Sequence, residues 1–295
     1  MDRIKFIFKT IKSNDPLIWL IAVNVTIFVL YHIIFIFFLL FNLKDHFFLD
    51  RWLALPANIQ SLLLKPWTII SYMFFHKGLW HILFNMLWLY WFGKIFRIYF
   101  SSEQLLSLYV IGGLAGALFY VVSYNLFPLF AVEKHFSLLL GASAGVLAVV
   151  MAIACYVPNY KIHLLIFGPV KLIIIAIVMI VVDIFAISSN SNVGGHIAHL
   201  GGALMGYLFA TKIKKRKDIT EWLRNFYVWL INLFKKKPKM KIKYKRPPTD
   251  DREYNKQKNE NQKEIDRILD KISKGGYDNL TKEEKEMLFK QKKVT

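Results

Sequence analysis

Apolar runs long enough to cross a bilayer recur along the first two thirds of the chain, separated by polar or basic segments. A transmembrane helix needs about 20 mostly apolar residues. The runs predict six spans, at roughly residues 16–41, 79–95, 105–126, 141–156, 170–187 and 194–210. The pattern therefore predicts an all-α membrane protein with six transmembrane helices.

Two further apolar segments do not have the character of spans. The first loop, 42–77, mixes aromatic and aliphatic residues with Pro56 and Pro66, which indicates a loop partly embedded in the membrane interface. Residues 218–234 are apolar and aromatic with basic flanks, which predicts a helix lying on the membrane surface. A polybasic stretch, 235–246, follows it directly.

The polar end of the chain predicts a small helical unit. Isoleucines at 265, 268 and 272, with Leu269, are spaced for one helix face. Gly275-Gly276 is a stop signal, and Thr281 with Glu284 forms a capping-box pattern. We therefore divide the chain into a basic arm (1–15), a membrane domain (16–211), a basic interfacial segment (212–246), a linker (247–261) and a helical C-terminal unit (262–295).

Composition agrees with the membrane class, and the charge distribution gives an orientation. Hydrophobic residues make up 55% of the 295 residues and charged residues 20%, which is more apolar surface than a soluble domain uses. The net charge is +19, and the residues after Thr211 contain 26 Lys and Arg against 13 Asp and Glu. Because this charge flanks spans, it predicts contact with anionic lipid and not with nucleic acid, and it places both termini in the cytoplasm.

Five polar side chains stand out inside the predicted spans, because a polar residue there is costly and by default marks a functional site. His81 and Asn85 lie in the second span, Ser143 in the fourth, and His196 and His199 in the sixth. With cytoplasmic termini, these three spans begin on the outer side, and each residue falls in the first turns of its span. The topology predicts that they meet in one layer below the outer surface.

These residue types fit peptide hydrolysis, which needs a nucleophile, a base and hydrogen-bond donors for the oxyanion. Ser143, among small residues at a helix start, is the candidate nucleophile, and His199 is the candidate base. His81 and Asn85, four residues apart on one helix face, can both donate to an oxyanion. Each signal alone has an ordinary explanation: a serine bonded to its own helix, a packing histidine, or small residues at a helix contact.

Together, these residues resemble the rhomboid family of intramembrane serine proteases. The matching motifs are His81-Ile-Leu-Phe-Asn85, Gly141-x-Ser143 and Ala198-His199-x-x-Gly202, on the second, fourth and sixth spans. The resemblance implies a six-helix rhomboid bundle, a Ser143–His199 dyad without an aspartate, and an oxyanion site from His81, Asn85 and the Ser143 N–H. It also implies a structural role for His76, transmembrane protein substrates and no cofactor.

The sixth span contains two histidines, three residues apart on one helix face. The motif selects His199, because only then do Gly194 and Gly202 fall into register as small residues that allow close helix packing. His196 would lie one turn nearer the outer surface, in a secondary position.

Several residues depart from the family pattern. Ala144 stands where the family often has glycine, and Leu147 where some members have a tyrosine that stacks on the base. The first loop has only a reversed pair, Arg51-Trp52. Asp183, near the outer end of the fifth span, is interpreted as an interfacial carboxylate and not as a third catalytic residue. No metal site is expected, because the histidines lack a nearby acidic ligand.

Two other functions fit parts of the pattern. An inactive rhomboid-like protein could bind membrane clients without cutting them; intact Ser143 and His199 argue against this, and Ala144 leaves it open. A transporter could use the histidines as a proton relay, but the spans lack a deep acidic residue. The Lys-rich composition without eukaryotic targeting features predicts a bacterial cytoplasmic membrane.

Overall fold

The computed structural model describes residues 15–43, 49–164, 168–188, 192–234 and 250–291. These residues form two compact units, one up to residue 234 and one from residue 250. The helices of the first unit are α1 (Pro16–Leu40), α2 (Leu49–Leu53), α3 (Ile59–Leu64), α4 (Thr68–Ser71), α5 (Leu79–Tyr99), α6 (Ser102–Leu126), α7 (Ser143–Tyr156), α8 (Leu172–Ile187), α9 (Val193–Lys214) and α10 (Glu221–Phe234).

Each of the six long apolar runs forms one helix, namely α1, α5, α6, α7, α8 and α9. Among the described residues, α1 and α6 are the two helices that are long and apolar enough to cross a membrane. Helices α7 and α8 are equally apolar but shorter, with 14 and 16 residues. The prediction of a predominantly helical chain is thus confirmed, and two of the described helices have the length and composition of membrane spans.

Helix α7 lies at the centre of the first unit, packed closely between α6 and α9. Almost every residue from Ala144 to Ala154 is buried, as expected for a helix that is apolar on all sides. Glycines on both neighbours allow the close approach: a Cβ at Gly112 of α6 would collide with the Ala148 side chain, and a Cβ at Gly206 of α9 would collide with the Ala148 carbonyl. This packing fixes the depth and rotation of α7.

From residue 49 on, the first loop is folded and tied to the segment before α7. Strand β1 (Leu55–Pro56) of this loop pairs antiparallel with β2 (Leu138–Leu139), which lies just before α7. Leu55 faces Leu139 across the pair. The Trp52 and Trp67 rings stack with centroids 5.4 Å apart, and the Trp67 indole N–H donates to the Trp52 carbonyl at 2.9 Å. Trp52 therefore anchors the loop despite its reversed order with Arg51.

The opposite end of the first unit contains a hairpin and helix α10. Strands β3 (Lys161–Leu164) and β4 (Gly168–Lys171) pair antiparallel between α7 and α8. The turn before α10 is held by Asp218, which accepts hydrogen bonds from the Gln104 side chain at 2.9 Å and from the Thr220 N–H at 2.8 Å. Gln104 belongs to the first turn of α6, so this network fixes where α10 begins.

The second unit consists of α11 (Asp251–Gly275), a short 3₁₀ turn (Tyr277–Asn279) and α12 (Lys282–Gln291). Ile265 and Ile268 are buried in it. The predicted stop is confirmed, since α11 ends at Gly275 and Gly276 has a φ of +77°. The linker predicted over 247–261 is wrong from Asp251 on, because that segment is helical; Lys, Glu and Gln are good helix formers even without an apolar face.

The predicted capping box of α12 is also confirmed. The Thr281 N–H donates to the Glu284 carboxylate at 2.8 Å, and the Glu284 N–H donates to the Thr281 hydroxyl at 3.3 Å. The Lys271 ammonium group on α11 donates to the same carboxylate at 2.8 Å. The hydrogen bond from Lys271 and that from the Thr281 N–H hold the pKa of Glu284 below its usual range.

Candidate active site

Ser143 is the first residue of α7, at the N-terminal end of a central buried helix. The chain reaches it through Gly141, whose φ of +119° favours glycine. The Gly141 N–H donates to the Tyr72 carbonyl at 2.9 Å, which fixes the turn against the first loop. The N–H groups of the first turn have no partner within the helix, so the Ser143 position favours developing negative charge.

His81 lies directly against this turn. A Cβ at Gly141 would come within 2.7 Å of the His81 Cε1 and Nε2 atoms, and 3.8 Å from the Ser143 Oγ. Glycine is therefore required at position 141 for two reasons. The backbone conformation favours it, and the imidazole occupies the space that a side chain would need. The structure brings Ser143 and His81 together, as the proposed oxyanion role of His81 requires.

Asn85 lies one turn further along α5 and is 7% exposed. Its side-chain amide donates to the backbone carbonyl of His81 at 2.9 Å. One of its two N–H groups is thus used within its own helix, and the second is available for a substrate oxygen. The Asn85 amide thus stabilises the turn of α5 that contains His81, and it lies on the same face of α5 as His81.

His76 is fully buried behind the Ser143 turn. Its Nε2 accepts a hydrogen bond from the Ala142 N–H at 3.2 Å, and its ring meets the His81 ring edge to face at 4.9 Å between centroids. His76 therefore holds the backbone just before Ser143, which agrees with the structural role that the resemblance implied.

His199 reaches the site through the register between α7 and α9. A Cβ at Gly202 would collide with the Ala144 carbonyl, and Gly206 meets Ala148 in the same way one turn later. The two helices therefore run parallel. One turn back from Gly202, this register places His199 beside residues 141–143.

The Ser143 hydroxyl and the His199 ring, both among the described residues, are not hydrogen-bonded to each other. Such hydrogen bonds are often long without substrate and tighten in the complex. The Ala144 methyl, a departure from the family pattern, lies against Gly116 of α6, where a Cβ would come within 2.6 Å of it. The extra methyl group is therefore accommodated between helices α6 and α7.

Asp183 is the residue that the sequence interpretation placed wrongly. It was expected to be an interfacial carboxylate, but it is only 5% exposed and faces α9. One of its oxygens, Oδ1, lies 2.8 Å from the Nδ1 atoms of both His196 and His199. The sequence contained a signal for this contact, since a carboxylate within an apolar span needs a buried partner. The position of Asp183 near the end of its span indicated contact with water instead.

The same three residues form a cluster that could hold a metal ion, because their ligand atoms all lie within 4.8 Å of one another. Both histidines therefore have an acidic neighbour, contrary to the prediction. The two contacts to the carboxylate, at 2.8 Å each, are hydrogen-bond lengths. Ligand atoms around a tetrahedral zinc ion are about 3.3 Å apart or more, so the spacing fits hydrogen bonds better than a metal site.

A cavity of about 280 Å³ lies between α6, the segment before α7 and the start of α9. Ser137, Leu138 and Leu139 line it on one side, and Gly194 and Gly195 line it on the other. Its lining does not include Ser143, His81 or His199, all three of which the structure describes.

Comparison with known proteins agrees with the motifs. A rhomboid-domain model matches residues 64–216, and a family of unknown function, DUF6576, matches residues 249–290. The chain is 28% identical over 214 residues to RHOMBOID-like protein 12, mitochondrial, of Arabidopsis thaliana, covering 70% of this chain and 60% of that protein. It is 27% identical over 169 residues to Rhomboid protein 1, mitochondrial, of Saccharomyces cerevisiae, covering 57% of this chain and 47% of that protein.

The matched region of the chain spans about half to three fifths of the length of these curated relatives. Both are named as mitochondrial proteins, so they do not support the prediction of a bacterial inner membrane. The rhomboid-domain match covers more than half of the chain and includes every residue of the predicted site, from His76 to Gly202. The chain belongs to the rhomboid family, whose proteins are integral to the membrane.

Proposed function

We propose that this protein is an intramembrane serine endopeptidase that cleaves transmembrane segments of other membrane proteins. The observation that carries the proposal is the convergence of polar residues at the N-terminal end of α7. Ser143 lies beside the His81 ring, and the α7–α9 register puts His199 at the same level. A nucleophile, a base and oxyanion donors from three separate helices then share one layer.

In the proposed reaction, His199 takes the proton of the Ser143 hydroxyl while Oγ bonds to the carbonyl carbon of the scissile peptide. The N–H of Ser143, with His81 and Asn85, stabilises the oxyanion, and each such donor is worth about 3 kcal/mol in the transition state. Collapse breaks the C–N bond as His199 returns the proton to the leaving amine. Water, deprotonated by His199, then hydrolyses the acyl-enzyme and frees Ser143.

The proposed topology has all six helices crossing the membrane, with both basic termini on the cytoplasmic side. Ser143, His81 and His199 then lie near the outer ends of their helices, where water can reach them from the outer side. A substrate helix must unwind locally, because its carbonyls are otherwise hydrogen-bonded and shielded. Substrates are therefore transmembrane segments that unwind easily near their outer end.

The main alternative is an inactive rhomboid-like protein that binds membrane clients, as the wording of one relative's name allows. A fluorophosphonate probe separates the two, because it reacts only with an activated serine. We expect the purified protein to be labelled and Ser143→Ala to lose all labelling. Ser123→Ala, a serine elsewhere in an apolar helix, is the matched control and should be labelled normally. Absence of both labelling and substrate cleavage in the folded wild type would favour the client-binding function.

We further propose that α10 lies on the cytoplasmic surface of an anionic membrane. Its aromatic residues Trp222, Phe226 and Trp229 are each more than half exposed in the chain, and the Asp218 network fixes the start of the helix against α6. The basic stretch 235–246 follows it in sequence. Apolar rings and basic residues together are the features that bind a helix to anionic lipid.

This placement predicts a difference between two labelled positions. In a Cys155→Ala background, an environment-sensitive fluorophore at Phe226→Cys should report an apolar environment in vesicles containing anionic lipid. The same label at Glu221→Cys, on the polar side of the helix, should remain in water. If both labels report water in anionic vesicles, α10 does not lie on the membrane surface.

A further inference from the structure

The Asp183 carboxylate joins α8 to both histidines of α9 through a single oxygen atom. Its Oδ1 lies 2.8 Å from the Nδ1 of His199 and 2.8 Å from the Nδ1 of His196. The Asp183 side chain is only 7% exposed, while the two histidine side chains are 20% and 22% exposed. The carboxylate is thus shielded inside the helix bundle, and the imidazoles lie between it and the more open side.

This geometry determines which nitrogen of His199 is free. An ionised carboxylate only accepts hydrogen bonds, so each Nδ1 facing it donates a proton. A buried carboxylate also needs such donors to remain stable. When Nδ1 of a neutral imidazole carries the proton, Nε2 has the lone pair. His199 is therefore held in the tautomer whose other nitrogen can accept a proton.

We propose that Asp183 is a positioning residue for His199: it fixes the Nδ1–H tautomer and the ring orientation, and it stabilises the imidazolium that forms when Ser143 loses its proton. This deepens the proposed protease function and rests on it. The site then works as a triad in effect, with the aspartate supplied by α8, although the resemblance to the family implied a dyad alone. Asp183 itself does not touch the substrate.

His196 shares the same carboxylate oxygen and provides a matched control. His196→Ala and Asp183→Asn each remove one member of the cluster, but only Asp183→Asn changes what the Nδ1 of His199 contacts. Asp183→Asn nearly preserves size and allows an amide N–H to face the imidazole, which shifts the proton of His199 to Nε2. If the carboxylate only tied α8 to α9, the protein would be less stable in both variants. The catalytic rate of the folded protein would then remain intact.

The experiment measures kcat and KM for cleavage of a reconstituted transmembrane substrate, the maximal rate of fluorophosphonate labelling, and the thermal unfolding midpoint. We expect Asp183→Asn to lower kcat by about 10²-fold or more, to slow labelling in parallel and to leave KM within about threefold. Asp183→Glu, which keeps the carboxylate, should recover part of kcat. His196→Ala should retain most of it, because the His199–Asp183 hydrogen bond remains.

The outcomes separate this inference from the proposed function. If the wild type neither cleaves nor reacts with the probe, the protease function itself is wrong. If the wild type is active and Asp183→Asn keeps its kcat while only its unfolding midpoint falls, Asp183 is a structural tie between helices. If micromolar Zn²⁺ inhibits the wild type and the inhibition is lost in both His196→Ala and Asp183→Asn, the cluster is a metal site and the positioning role is overturned.

Discussion

Replacing His199 by alanine should lower the cleavage rate by about 10⁴-fold or more, as expected when a member of a serine–base pair is removed. In the proposed mechanism the His199 imidazole takes the Ser143 proton, whereas His81, the other imidazole beside Ser143, donates to the oxyanion. The contacts that align α9, at Gly202 and Gly206, are not touched by the substitution, so the fold and substrate binding should be retained. The loss should therefore appear in kcat and not in KM.

His196→Ala is the sharpest control for this result. The two histidines lie one turn apart on α9 and contact the same oxygen of Asp183, so burial and charge do not distinguish them. The register with α7 does, since it places His199 beside residues 141–143 and His196 one turn beyond. The cleavage rates of both variants are measured with the same reconstituted substrate. If His196→Ala loses the cleavage rate and His199→Ala keeps it, the roles of the two histidines are assigned the wrong way round.

Much of this site was predictable because its signals are local in sequence. Long apolar runs determine where helices form, and the fourth-residue spacing of His81 and Asn85 puts both on one face of α5. The glycine pattern of α9 predicted close packing near His199, and the contact between Gly202 and Ala144 shows what the small residue is for. The capping box at Thr281 and Glu284 is equally local, since both hydrogen bonds join residues three apart.

The features that sequence reasoning missed depend on contacts between distant segments. Whether Asp183 faces water or protein depends on the rotation of α8 against α9, which no short motif encodes. The β1–β2 pair joins residues about 80 positions apart, through two residues on each strand, too few for an alternating pattern. Helix α11 was missed for a different reason: its first half has charged and amide side chains and no apolar stripe, so composition suggested a linker.

Gly202→Ala should be the most damaging single methyl addition in the membrane domain. A Cβ at this position would overlap the Ala144 carbonyl oxygen and come within 2.8 Å of the carbonyl carbon and 3.0 Å of the Cα. These are backbone atoms at the centre of the bundle, so no side chain can rotate away and α9 itself must move. Overpacking of a rigid contact costs about 3 kcal/mol, which corresponds to a fall of about 6–12 °C in the unfolding midpoint.

The same displacement should uncouple the reacting residues, because Gly202 lies one turn from His199 and Ala144 is next to Ser143. Gly78→Ala is the matched control: its added Cβ would make an ordinary contact, 3.7 Å from the His81 Cβ, and its cost should stay near 1 kcal/mol. The measurement is the thermal unfolding midpoint in detergent, with the cleavage rate determined well below it. A Gly202→Ala protein as stable and active as Gly78→Ala would show that α7 and α9 are not in contact at Ala144, and the register that brings His199 to Ser143 would fail with it.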